Sequence, residues 1–178
     1  MLLFLLGVLL DAVLAVFIPL DFSLNQPVIM TMFAFNFWVL ASLRIEAKYK
    51  WLYLFYVILV FEMIHVDTYW IYGFTLFLMY YVLQFFTKVL HQSYLEQFTL
   101  LNLMSFCWLL MMYAYIKIFS LSNISFWKFF SVNLFLSAIV QLLIATLSLV
   151  IIMYFDRFQL KRDMEKRNRE YVSYRGQS

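Results

Sequence analysis

Apolar and polar positions along this chain do not alternate residue by residue; they separate into long apolar runs divided by short polar connections. A helix that crosses a bilayer needs about 20 mainly apolar residues to cover a hydrocarbon core about 30 Å thick. Six runs approach that length: Leu2 to Leu20, Val28 to Leu43, Tyr49 to Ile64, Thr68 to Phe86, Phe98 to Leu121 and Phe130 to Phe155. The third is the shortest, and it reaches full length only with Lys48 and Lys50 extending their ammonium groups toward the headgroups.

The third and fourth runs meet in "FEMIHVDTYWIYGFTLF", where Glu62, His65 and Asp67 interrupt apolar and aromatic residues. Tyr49 to Phe86 as one helix would be about 57 Å long, roughly twice the core thickness. The chain must therefore reverse near "HVD". No glycine or proline serves that reversal, so the turn is tight, and Asp67 or Thr68 is suited to cap the amides that open the fourth helix.

Lysine and arginine beside the spans set orientation. The connection at 44–50 carries three and the tail at 156–178 carries seven against four acids, whereas "DFSLNQP" and "HVD" carry none. Both termini are expected on the cytoplasmic side; Lys117 and Lys128 are the exceptions to the pattern. The expected fold is an all-α integral membrane protein, a bundle of six transmembrane helices over residues 1–155, with a short basic cytoplasmic tail at 156–178. The tail has Asp163 and Arg167, and Glu165 and Arg169, at the spacing of surface ion pairs, so it reads as a charged extension of the last helix near anionic headgroups.

Composition sharpens this picture. Hydrophobic residues make up 66% of the chain and charged residues 13%, far from a soluble protein. Three glycines and two prolines leave little material for a phosphate-binding loop, and the single cysteine, Cys107, excludes an intrachain disulfide. No nucleophile elbow or zinc-helix motif occurs. The two histidines, His65 and His91, fall on opposite sides of the expected membrane, which excludes a site built on both. No cofactor, metal or nucleic acid is expected, and an outer turn explains Glu62, His65 and Asp67 more simply than a metal or proton-relay site.

Intramembrane polar residues remain to be placed. Asp11, near the middle of the first run, costs about 2.5 to 3.5 kcal/mol on insertion scales unless it finds a partner. A buried hydrogen-bonded place in the bundle and contact with another subunit are both open to it. Glu62 and Lys117 share a depth that suits an interhelical ion pair. Asn36, Gln84, Asn102, Asn133 and Gln141 are expected as interhelical links. Trp38 and Trp51 are expected at the inner boundary and Trp70 and Trp127 at the outer one, with Trp108 deep in the fifth span.

Nearly the whole chain resembles the rod shape-determining protein MreD of Gram-positive bacteria. The likeness lies in a first span interrupted by an acid ("LLDAVLAVFIP"), a second span ending in a basic loop, the third-to-fourth hairpin, and a sixth span running into a charged tail. In "HVDTYWIYG" the aromatics Tyr69 and Trp70 and the glycine Gly73 match the family's turn. Counting back from Gly73, His65 stands at the family's aspartate and Phe61 at its glycine, and the proline before the sixth span is missing.

The resemblance implies a non-catalytic subunit of the bacterial cell-elongation machinery in the plasma membrane. Its implied partners are an MreC-like single-span protein, cell-wall synthases and the MreB cytoskeleton, besides membrane lipids. The need of Asp11 for a buried environment and the aromatics of the hairpin point to a lipid-facing groove between the first span and the third-to-fourth hairpin as the place where a single-span protein docks, with Asp11, Glu62, His65, Asp67, Tyr69, Trp70 and Gly73 as the partner-binding or intramembrane polar residues. Two other readings use the same bundle: the substrate-binding subunit of a vitamin-type uptake transporter, and an accessory subunit of another large membrane complex. Against the transporter, Ala12 and Ala15 lack the Ala-x-x-x-Ala spacing such a first helix uses to dock its partner.

Overall fold

The computed structural model describes residues 2–17, 31–64, 70–89, 93–119 and 125–175. Every regular element among them is helical: α1 (Leu2–Phe17), α2 (Phe33–Arg44), α3 (Lys50–Ile64), α4 (Ile71–Thr87), α5 (Tyr94–Ile118) and α6 (Phe135–Arg175). A 3-10 turn, Ala47–Tyr49, leads into α3. One helical turn, Phe126–Lys128, and a π-helical segment, Phe129–Leu134, run directly into α6.

The six apolar runs correspond to these six helices with shifted ends. Two stretches, Tyr94–Tyr115 and Phe126–Arg162, are long and apolar enough to cross a bilayer, while Leu3–Phe17 and Ile71–Thr87 are apolar but shorter. α2 has 12 residues, a rise of only about 18 Å. It begins at Phe33 rather than Val28, the expected start at 28 lying outside the described residues. α5 begins four residues before the expected Phe98, because Ser93 and Glu96 form a reciprocal capping box that starts the helix at Tyr94.

α2 is the centre of the bundle. Every residue from Met32 to Leu40 is buried, so the helix has no outward face. It packs against α1, α3, α5 and α6, while α4 packs against α3 and α5. Trp38, expected at the inner membrane boundary, is fully buried here instead. Its neighbours explain this, since Phe35 lies 5.4 Å from Trp38 and 5.0 Å from Trp108, the deep tryptophan of α5. Trp108 in turn meets Phe61 of α3 and Tyr72 of α4, so an aromatic cluster joins four helices.

Contacts between successive helices fix their direction. Phe61 stacks on Tyr72, and Trp51 meets Tyr80 at 4.9 Å, so α3 and α4 form an antiparallel hairpin. The reversal thus falls between Ile64 and Ile71, as the length argument requires. In α1, Gly7 crosses α2 so closely that an added Cβ would lie 2.7 Å from Phe37 Cδ2 and 2.8 Å from Ala34 Cα.

The π-helical segment has a packing cause. Phe129 and Leu134 are both buried, whereas Phe130 and Phe135 are both exposed. Residues five apart stand about 140° apart on an α-helix; the wider π turn brings them onto one face. Phe129 thereby stacks on Tyr113 of α5 at 4.6 Å. Ser131 Oγ donates to the Trp127 carbonyl at 2.8 Å, which helps satisfy the altered backbone.

The 41 residues of α6 extend about 60 Å, so the charged tail continues the last helix and no break marks position 155. The outward faces of the bundle carry large apolar side chains along their length: Leu9 and Val13 on α1, Leu52 and Phe55 on α3, Leu142, Leu143 and Leu147 on α6.

Candidate functional site

Two acids in this apolar bundle sit where one helix begins against another. Asp11, near the middle of α1, directs its carboxylate at the first turn of α2: Phe33 N donates to Oδ1 at 3.0 Å and Ala34 N to Oδ2 at 2.8 Å. These amides belong to the opening turn, which has no intrahelical acceptor. Met32, the N-cap residue, supplies no side-chain bond. The carboxylate therefore does from a neighbouring helix what an Asp at the N-cap does locally, and its charge faces the positive end of the α2 dipole.

Glu62 repeats the arrangement in the second hairpin. Its Oε1 accepts from Gly73 N, in the first turn of α4, at 2.6 Å. A side chain at 73 would collide with this contact, since an added Cβ would lie 3.0 Å from both Glu62 Oε1 and Ile58 Cγ2. The α4 N-cap is Trp70, which lies in the left-handed region with φ 65°, makes no side-chain cap bond, and is 65% exposed; Thr68, like Asp67 an expected cap, lies outside the described residues. His65, Asp67 and Tyr69 lie outside the described residues.

The expected Glu62–Lys117 ion pair is not formed. Lys117 Nζ lies 5.9 Å from the ring centroid of Tyr113 on its own helix, while Glu62 engages the Gly73 amide. The ion pairs among the described residues are Lys48–Glu46 and Arg44–Asp156.

Arg44–Asp156, unforeseen in the sequence, gathers three helices at the other end of α2. The guanidinium grips Asp156 of α6 through Nη2 at 2.8 Å and Nε at 3.3 Å, donates from Nη1 to the Leu40 carbonyl at 2.9 Å, and reaches Gln97 Oε1 of α5 at 3.5 Å. A shallow cleft opens beside it, lined by Leu43, Ser93 and Tyr94.

Of the amide residues expected as glue, Asn36 and Gln141 link helices directly. Gln141 Nε2 donates to Asn36 Oδ1 at 2.9 Å and to Ser105 Oγ at 2.6 Å, joining α6, α2 and α5. Asn102 instead donates to the Phe98 carbonyl of its own helix at 2.8 Å. The side chain of Asn133 lies outside the described residues. Ser105 was not foreseen, because a serine in an apolar run gives no sign of which neighbour it meets.

Among the described residues, no three His, Cys, Asp or Glu side chains gather as a metal site would need. The polar groups described above bond helix to helix. Together they define an all-helical bundle that contains membrane-length helices and is pinned at its helix junctions. Set against protein-family models, curated proteins and solved structures, the chain matches none.

Proposed function

We propose that the chain is a multi-pass protein of the bacterial plasma membrane, with all six helices within the bilayer region and both ends cytoplasmic. Its apolar perimeter supports this, because soluble monomers rarely expose contiguous apolar patches beyond a few hundred Å². Short α2 fits the same reading. A helix wrapped by others need not span the lipid, since irregular backbone at membrane depth is tolerated where protein buries it.

Within that setting the protein acts as a non-catalytic subunit of the cell-elongation machinery, of the MreD type that its sequence resembles. It holds an MreC-like single-span protein and through it works with the cell-wall synthases and MreB. The observation that carries the non-catalytic reading is the use of Asp11 in α1 and Glu62 in α3, acids within apolar helices, as caps for neighbouring helices. Each bonds a backbone amide directly and serves the fold.

Purification in mild detergent followed by identification of the bound proteins tests the assignment. The expected result is an MreC-like protein with cell-wall synthases; an ATPase pair, or respiratory or secretion subunits, would overturn it. Depletion in a rod-shaped or ovoid host is expected to round the cells.

A further inference from the structure

Where α2, α5 and α6 meet, Asn36, Ser105 and Gln141 form a polar junction with 0%, 1% and 3% exposure. The bonds from Gln141 Nε2 to Asn36 Oδ1 and Ser105 Oγ use one half of each amide. The other halves, Asn36 Nδ2 and Gln141 Oε1, have no partner. Each unpaired buried polar group costs about 1–3 kcal/mol.

The remainder does not depend on which way the amides are turned. Reversing both preserves the amide–amide bond and again leaves one NH2 and one carbonyl unpaired; reversing only one sets two nitrogens or two oxygens against each other. Whatever completes the junction must therefore accept a hydrogen bond from an amide and donate one to a carbonyl. A simple anion only accepts, a metal cation cannot accept, and an apolar ligand does neither.

We propose that this junction is a binding site for ordered water, which accepts from the unpaired NH2 and donates to the unpaired carbonyl. Water meets the chemical requirement in the smallest volume, and buried water characteristically joins polar groups that the protein cannot pair itself. The three helices thus share a hydrated node in the interior of the bundle. Asn36 belongs to the opening turn of α2 that Asp11 caps, and the inference does not rest on the proposed cellular role.

The test uses the full chain in lipid nanodiscs, with asparagine and glutamine side chains labelled with 15N, and measures magnetisation transfer from water to each side-chain NH2. The NH2 of Asn36, or that of Gln141 if the amides are reversed, is expected to show direct contact with long-lived water. Asn36→Leu and Gln141→Leu assign the two signals, and either substitution is expected to reduce the remaining contact at least about fivefold by removing half of the site. If those variants do not fold, assignment passes to Ser105→Ala, which keeps both amides and shifts their resonances. Absence of water contact at both NH2 groups in the folded wild-type protein would overturn the proposal, as would contact only with lipid protons.

Discussion

The Asp11 carboxylate stands 2.8 Å from the amide nitrogen of Ala34, with the Phe33 amide on its other oxygen at 3.0 Å, so a side chain of α1 completes the first turn of α2. Asp11→Leu removes both acceptors and is expected to destabilise the fold by roughly 2–4 kcal/mol. Asp11→Asn keeps one carbonyl acceptor and should cost about half as much. Unfolding of the purified protein in mixed micelles, followed by circular dichroism, measures the difference. Equal loss for the two variants would contradict capping.

The two described glycine crossings differ in what they press against. At Gly7 a Cβ would meet backbone atoms of Ala34, whereas at Gly73 it would meet the end of Glu62 and the Ile58 side chain. Side chains move more readily than a helix backbone. Gly7→Ala is therefore expected to cost roughly 2–3 kcal/mol and Gly73→Ala about 1 kcal/mol, as thermal melts of the two variants would show.

Glu62 and Lys117 act independently. Glu62→Gln retains an oxygen for the Gly73 amide, so a loss of no more than about 1 kcal/mol is expected. Lys117→Met should leave that bond untouched. In the double variant the effects should add within about 0.5 kcal/mol; a larger coupling in a double-mutant cycle would restore the ion pair as an explanation.

The fork between Arg44 and Asp156 makes a geometric demand as well as an electrostatic one. Both side chains are roughly a quarter exposed, and a coupling of about 0.5–1 kcal/mol is expected from a double-mutant cycle with Arg44→Ala and Asp156→Ala. Arg44→Lys keeps the charge and loses the paired bonds, so it should recover less than half of the coupling. Added salt should weaken it.

Much of the bundle was legible in the chain because apolar run length is a local property. The hairpin at 61–77 followed from arithmetic on helix length, and the use of Asn36 and Gln141 as interhelical links followed from their place within apolar runs, although Asn102, placed likewise, bonds its own helix. Helix starts were less legible. Asp11 lies 22 residues before the Phe33 amide it accepts, and no local spacing rule connects them. By contrast, Ser93 and Glu96 do carry a local capping signature, but counting apolar residues moved the start of α5 past it. Trp38 illustrates another limit: an amphipathic ring near the end of an apolar run suits a membrane boundary, yet α2 is enclosed on every side and places it in the core. The π-helical segment arises from the joint demands of Phe129 and Leu134, which only their packing against α5 reveals.

The paired acid caps also bear on how the chain is made. Asp11 precedes α2 and Glu62 precedes α4, so a ribosome delivers each carboxylate before the amides that require it. A newly emerging α2 or α4 finds its acceptor already waiting in the preceding helix, which favours the pairing of α1 with α2 and of α3 with α4 as hairpins. The order of synthesis and the order of bonding then coincide, and neither helix start has to wait for the C-terminal half of the protein.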